Sequence, residues 1–212
     1  SLAVGYQDSI NFNNLPIPYA CVSVNAMDGS QKIHRDGSLP TAMRASMAIP
    51  GVFTPVHVGN EVLVDGGMLN NFPVDVCKAM GADIIIGVNL SGGLSSDKDK
   101  ISALPGLLGQ LFGIITGNQV QAHAQMCNIY LNPNLKEGGY GTLSFDKKSI
   151  KEIMEIGYNT AAAKRDEFVA LRGELETYGV DLSQKYHNKK AVNLLENLAF
   201  RFNMKGELET ER

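Results

Sequence analysis

The chain has 212 residues, of which 44% are hydrophobic and 19% are charged, with a net charge of -3. This length suffices for one domain with a real hydrophobic core. The slightly acidic balance gives no electrostatic basis for nucleic-acid binding, which requires a basic surface. The three cysteines, Cys21, Cys77 and Cys127, are far apart in the sequence and lie in apolar surroundings. Their odd number and spacing argue against a disulfide framework or a metal site, so we expect three buried small side chains.

The first third of the chain predicts two β-hairpins with a helix between them. Residues 19–26 are rich in β-formers and are expected to pair back with residues 32–35. Helix formers with apolar residues at helical spacing occupy residues 39–48, and Pro50-Gly51 follows them. Gly59-Asn60 then separates two further short runs of β-formers, which is typical of a hairpin turn.

The rest of the chain alternates helices with apolar strands. Residues 83–90 are almost continuously apolar, which predicts a central parallel strand covered on both faces. Ser149 is the expected N-cap of the strongest helix, with Glu152 completing a capping box. The other predicted elements are a helix over 73–80 closed by Gly81, a helix over 101–126, a strand over 127–131, a helix over 149–178 and a last helix over 189–202 before a mobile charged tail.

This order of elements predicts an α/β protein with three layers, α/β/α, and a mainly parallel sheet. We expect residues 1–178 to form the C-terminal part of one domain and residues 179–212 to form a helical extension with a charged tail. The apolar run over 104–117 is shorter than the roughly 20 residues that a membrane-spanning helix needs, so no transmembrane segment is predicted. That run has two interpretations, and the favoured one is a helix packed on the sheet; the other is a segment that lines an apolar channel or dips into a lipid interface.

Residues 40–73 carry the most informative pattern of the chain. Asp65 falls at the end of a predicted strand and directly precedes Gly66 and Gly67. On its own, this motif is typical of a turn. Its neighbours give it more meaning, namely Ala45-Ser46-Met47-Ala48-Ile49-Pro50-Gly51 upstream and Asn70-Asn71-Phe72-Pro73 downstream. Together they resemble the block around the catalytic aspartate of bacterial patatin-like phospholipases, and later segments extend the resemblance over about residues 15–170.

The resemblance implies a serine acyl hydrolase that degrades lipids with a Ser–Asp dyad. Asp65 would be the general base, and Gly66, Gly67, Asn70 and Asn71 would form the loop that supports it. An ordinary aspartate, with a pKa near 3.9, is a poor base for a hydroxyl, so the site would have to raise that pKa by partial burial. The implied substrate is a lipid or another acyl ester, and no cofactor or metal is implied. Contact with a membrane surface and either a cytoplasmic or a membrane-associated location are compatible with this class.

The chain departs from the family pattern in one respect. It contains no Gly-x-Ser-x-Gly, the strained strand-to-helix turn that exposes a nucleophilic serine, and no glycine-rich oxyanion loop precedes the block. Ser46 lies in the family block but occupies a helical packing position. The four histidines, His34, His57, His123 and His187, show no metal-ligand spacing and are interpreted as structural or surface residues. We therefore expect the domain to be incomplete on its N-terminal side, with the nucleophile outside this chain.

Two other interpretations remain open from the sequence. The chain could be a non-catalytic patatin-like module for binding or scaffolding, or an unrelated α/β ligand-binding domain. If part of the sheet is missing, the strand over 83–90 would expose an edge and apolar faces. That exposure predicts association of the chain with a second copy of itself, or a local rearrangement that covers the strand.

Overall fold

The computed structural model describes residues 9–91, 98–102, 104–135, 139–140, 144, 146–179, 201–202 and 208–209. Contacts between Cα atoms divide the chain into two compact units, Ala3–Pro133 and Asn134–Arg212. The predicted boundary at residue 178 stays a prediction, because most of the residues that follow it lie outside the described part of the chain.

The described strands of the first unit are β1 (Ile10–Asn11), β2 (Cys21–Asn25), β3 (Ser30–His34), β4 (Asp36–Gly37), β5 (Val56–Val58), β6 (Glu61–Asp65), β7 (Ile86–Val88) and β8 (Ile129–Leu131). Four of them form an antiparallel sheet in the order β3-β2-β6-β5. The short strands β1 and β4 pair separately, and β7 and β8 form a parallel pair. The prediction of a mixed α/β protein is thus confirmed, while the largest described sheet is antiparallel rather than parallel.

The helices of the first unit are α1 (Leu39–Ser46), α2 (Val74–Ala79), α3 (Lys98–Ser102) and α4 (Leu104–Ala124). Both predicted hairpins are confirmed, and the second turns at Gly59, whose φ of 58° is one that glycine adopts without strain. Gly81 has a φ of 93° and follows α2 directly, as the sequence predicts. No helix of the described residues has the length and apolar character that crossing a membrane would require.

Two apolar clusters stabilise this unit. One joins Phe12, Cys21, Leu39 and Ala42 and packs α1 against the start of β2. The other is built on Phe72, Val74 and Ile85, against which Val120, Ala124, Cys127 and Tyr130 pack. The second cluster fixes the C-terminal end of α4 beside the segment that follows β6.

The strand over 83–90 is covered on one face only, so the prediction of two covered faces is wrong. Ile85 and Asn89 are buried, whereas Ile86 and Val88 are about half exposed, at 49% and 50%. The hydrogen-bonded strand is also shorter than predicted, Ile86–Val88. An apolar strand can be buried on both faces only if other elements cover them, and the described residues cover one.

Three further predictions of detail are corrected. Cys21 is buried, but Cys77 is exposed and Cys127 is partly exposed, because α2 turns Cys77 towards solvent. The N-cap of the helix in the second unit is Asp146, whose side chain accepts a hydrogen bond from the Ser149 N–H at 2.9 Å, so Ser149 is not the cap. Glu152 bonds the Tyr140 hydroxyl instead of closing a capping box.

The second unit consists mainly of two helices, α5 (Lys147–Ala163) and α6 (Arg165–Thr177). One helix was predicted here; Lys164 separates it into two. The second unit also has the strand pair β9 (Arg201–Phe202) and β10 (Leu208–Glu209). The predicted helix over 189–202 is wrong at Arg201–Phe202, and its earlier residues lie outside the described ones.

Candidate active site

Asp65 lies at the end of β6, as predicted from the hairpin signal. Within the sheet, Asp65 pairs with Ser23 of the neighbouring strand β2. The backbone N–H of Asp65 donates to the carbonyl of Ala48, just after α1, at 3.0 Å. Asp65 is therefore held both by the sheet and by the end of α1, which fixes the position of its side chain.

The carboxylate of Asp65 is partly buried and has one described hydrogen bond. Its Oδ1 accepts from the Gly67 N–H at 2.7 Å. Burial raises the pKa of Asp65, and the hydrogen bond from Gly67 offsets part of that rise. A carboxylate whose pKa is raised in this way is a better proton acceptor than an ordinary surface aspartate.

Gly66 and Gly67 are constrained by different neighbours. A Cβ atom on Gly66 would lie 2.5 Å from the backbone carbonyl carbon of Val22 in β2, so no side chain fits there. A Cβ on Gly67 would lie 2.7 Å from Asn71 Oδ1 and 3.0 Å from Asp65 Oδ1, both at the ends of side chains. Gly66 thus allows the turn to approach the sheet, and Gly67 leaves room beside the carboxylate.

Asn70 and Asn71 complete the segment that the sequence assigned to the site. Asn70 is 3% exposed, and its backbone N–H donates to the Gly66 carbonyl at 2.9 Å. Asn71 is exposed, and its side-chain amide donates to the Ser91 hydroxyl at 3.0 Å. The structure therefore brings all five candidate residues into one turn, and their roles in catalysis stay predictions.

Two further residues, which sequence reasoning did not assign to the site, contact this turn. Asp75 Oδ1 accepts a hydrogen bond from Asn70 Nδ2 at 2.9 Å, and His123 Nδ1 lies 2.6 Å from the Phe72 carbonyl oxygen. Asp75 is only five positions after Asn70, so its proximity could have been suspected. No sequence signal places His123, which lies on α4, next to a loop some fifty residues earlier.

A serine–histidine contact also occurs on the same sheet. Ser23 Oγ and His34 Nε2 are 2.7 Å apart, and Ser23 is the register partner of Asp65. Ser23 is 0% exposed, so a substrate carbonyl cannot reach its hydroxyl. The pKa of His34 is lowered mainly by burial and, to a smaller extent, by the positive charge of Lys32. This pair is a satisfied polar contact within the sheet, in agreement with the structural interpretation of His34.

The remaining sequence candidates do not extend the site. Ser46 is the last residue of α1, next to the Cys21 thiol, which is consistent with its interpretation as a packing residue. His57 is exposed on β5, and His187 lies outside the described residues. Over the described part of the chain, no group of three or more His, Cys, Asp or Glu side chains is arranged to hold a metal ion.

The first unit is thus a mixed α/β structure that presents a partly buried aspartate at a strand end. Residues 9–78 match the family model of patatin-like phospholipases, and this match includes the whole Asp65 turn. These residues thus have the sequence of a patatin-like phospholipase domain, and the relatives of the chain support this family.

Individual relatives agree with this family. The chain is 39% identical over 115 residues to an uncharacterized NTE family protein of Mycobacterium tuberculosis, covering 52% of the chain and 20% of the relative. It is 24% identical over 219 residues to a putative patatin-like phospholipase domain-containing protein of Caenorhabditis elegans, covering 89% and 20%. It is 28% identical over 182 residues to patatin-like phospholipase domain-containing protein 7 of Rattus norvegicus, covering 74% and 13%. The chain spans about a fifth of the length of the first of these relatives.

Proposed function

We propose that this chain contributes the general base of a patatin-like serine acyl hydrolase acting on phospholipids or other lipid esters. The observation that carries the proposal is the Asp65 carboxylate, which is partly buried at a strand end and held by the Gly67 N–H at 2.7 Å. It lies within the residues that match the family model.

In the proposed reaction, Asp65 accepts the proton of a serine hydroxyl as the serine oxygen attacks the carbonyl carbon of the ester. Backbone N–H groups would stabilise the oxyanion that forms. The acyl group then passes to the serine, and the alcohol leaves with a proton from Asp65. Water then attacks the carbonyl carbon of the acyl-enzyme while Asp65 accepts a proton from it; the bond to the serine oxygen breaks, Asp65 returns the proton to that oxygen, and the carboxylic acid leaves.

We propose that the nucleophilic serine is supplied by residues outside this chain. None of its serines stands in a Gly-x-Ser-x-Gly sequence, and Ser23, which lies opposite Asp65, is fully buried. The strand of the nucleophile would complete a mainly parallel, three-layer α/β/α arrangement around the parallel pair β7–β8.

The decisive experiment compares the chain with a longer protein that carries it together with a nucleophile segment. The chain alone should not hydrolyse a chromogenic short-chain acyl ester above the level of its Ser46→Ala variant. The longer protein should hydrolyse it, since loss of a nucleophile costs on the order of 10⁶ in turnover. Ester turnover by the chain alone that Ser46→Ala abolishes would contradict the proposal.

The role of Asp65 is tested in the longer protein by Asp65→Asn. This substitution keeps the shape and the acceptor oxygen for Gly67 but removes the base, so turnover should be abolished. Asp83→Asn is the matched control, because Asp83 is an exposed aspartate near the start of the following strand. Normal activity of Asp65→Asn would place the base elsewhere, and a longer protein inactive on all esters would favour a non-catalytic binding module.

Contact with a lipid surface is a separate part of the proposal. Along α4, Leu104, Leu107, Leu111, Ile114 and Ile115 are exposed. Apolar side chains in this number on one helix are compatible with insertion into a lipid interface. Sedimentation with phosphatidylcholine vesicles should recover the wild-type chain but not an Ile114→Ser, Ile115→Ser variant; equal recovery of both would exclude this helix as the contact.

A further inference from the structure

The turn that follows Asp65 holds the carboxylate through hydrogen bonds of its own backbone. The N–H groups of Leu69 and Asn70 donate to the Gly66 carbonyl at 3.0 and 2.9 Å, which closes a tight turn. The Gly67 N–H at the start of this turn donates to the Asp65 carboxylate. Any movement of the turn therefore moves the donor that holds Asp65.

Asn70 fixes the far end of the turn through its side chain. The carboxylate of Asp75 only accepts hydrogen bonds, so the Asn70 atom that faces it at 2.9 Å must be the amide nitrogen. This contact determines the orientation of the Asn70 side chain. Its Oδ1 is buried without a hydrogen-bond partner among the described residues, a costly arrangement that the fold maintains at this position.

His123 holds the same segment from α4. The Phe72 carbonyl can only accept, so His123 Nδ1, 2.6 Å away, carries a proton and donates it. His123 Nε2 lies 3.8 Å from Asp75 Oδ1, the oxygen that also receives Asn70. The side chain of His123 is 10% exposed and that of Asp75 is 44% exposed, so the histidine is shielded from water while the carboxylate is partly solvated.

We propose that His123 and Asp75 are positioning residues for Asp65. They clasp the segment from Asn70 to Phe72 from two helices, and the turn transmits this constraint to the Gly67 N–H and the carboxylate. We call His123, Asp75 and Asn70 the clasp. The proposal rests on the function proposed for Asp65, because positioning matters only if Asp65 is the base.

The ordinary alternative is that His123 merely satisfies a carbonyl in the core. A purely structural histidine would affect the stability of the whole unit. A positioning histidine would affect the Asp65 turn and leave the sheet unchanged. The Gly67 amide separates these roles, because its N–H bonds the Asp65 carboxylate and its proton chemical shift should follow the titration of that group.

The first experiment is NMR of the 212-residue chain. In His123→Ala, hydrogen exchange at Gly67 should accelerate at least about tenfold and its shift should respond less to pH, while exchange in β2 stays at the wild-type rate. His123→Asn places an amide donor near the position of Nδ1 and should restore most of the wild-type behaviour. His57→Ala, which removes an exposed histidine from β5, is the control and should change neither.

Two outcomes would overturn the proposal. One is an unchanged Gly67 signal in His123→Ala. The other is a uniform loss of protection across the sheet, which would show a structural role only. If His123→Ala fails to fold, Asp75→Asn serves as an independent variant, because it keeps an acceptor for Asn70 but removes the charge. Hydrogen exchange at Gly67 should change in this variant, while exchange in β2 stays at the wild-type rate.

The second experiment separates the clasp from the function on which it rests. In the longer protein, His123→Ala should lower kcat about tenfold or more with KM within about twofold, because misplacement of a catalytic group by 1 Å can cost about 10² in rate. If Asp65→Asn abolishes turnover and His123→Ala leaves kcat unchanged, the clasp fails alone. If Asp65→Asn retains turnover, the proposed function fails, whatever the NMR result.

Discussion

Gly66→Ala tests whether the Asp65 turn depends on close approach to the sheet. The added Cβ would lie 2.5 Å from the Val22 carbonyl carbon, 2.9 Å from the Val22 Cβ, and closer still to the carbonyl oxygen, whereas ordinary contact begins at 3.4 Å. The turn or β2 would have to move by more than about 0.9 Å to reach ordinary contact. Because β2 is bonded to β3 on one side and to β6 on the other, it cannot shift without disturbing both pairings.

The expected cost follows from two contributions. Overpacking of a dense site costs about 1–3 kcal/mol. Each backbone hydrogen bond lost from the β2–β6 ladder adds about 1 kcal/mol. We therefore expect Gly66→Ala to lower the free energy of unfolding by about 2–4 kcal/mol.

Urea denaturation measures this change, since a lower midpoint at constant slope reports lost stability. The matched control is Gly109→Ala, because Gly109 lies within α4 and an added Cβ there has nothing within 4 Å. The control should stabilise the chain by about 0.5–1 kcal/mol, the helix propensity gain of alanine. A Gly66→Ala variant as stable as the wild type would refute the packing argument, as would a control that is destabilised equally.

Four further outcomes are expected. Gly67→Ala should retain most of the stability, because its Cβ meets only the ends of the Asn71 and Asp65 side chains. It should abolish turnover in the longer protein, because one of the displaced groups is the Asp65 carboxylate; a large loss of stability would contradict this expectation. Burial raises the pKa of Asp65, so the chain should lose stability as pH rises from about 3.9 through the folded-state pKa. Asp65→Asn should lack that loss in urea titrations at successive pH values. Burial lowers the pKa of His34, so stability should also fall as pH drops from about 6.5 through the folded-state pKa, and His34→Gln should lack this fall. Finally, the half-exposed Ile86 and its neighbours in β7 should cause concentration-dependent association in sedimentation, and a monomer at all concentrations would contradict this.

The sequence predicts the local structure around Asp65 well, because short-range chemistry determines it. Gly59-Asn60 sets the hairpin, and the hairpin places Asp65 at a strand end, so a few adjacent residues suffice. Gly81 likewise ends α2 at the predicted position. In each case the controlling residue lies within a few positions of the feature that it determines.

The predictions that failed depend on contacts between distant parts of the chain. The apolar run over 83–90 indicates what could be buried, but its coverage depends on elements elsewhere in the fold. Ser149 and Asp146 are both good N-caps, and the path of the chain into α5 decides between them. His123 is one histidine in a helix, and only the packing of α4 brings it to the Phe72 carbonyl.

Burial of the Asp65 carboxylate costs folding free energy, and the surrounding residues must hold it in place. A carboxylate with a pKa raised by burial destabilises the folded chain at neutral pH, so the Asp65 turn would relax towards solvent if nothing held it. Three constraints oppose that relaxation: strand pairing with Ser23, the approach of Gly66 to β2, and the hydrogen bond from Asn70 to Asp75. The first two act through backbone that a turn of any function could use. The third keeps an amide oxygen buried without a hydrogen-bond partner among the described residues, which costs stability. It is the constraint on which the proposal that His123 and Asp75 position the Asp65 carboxylate chiefly rests.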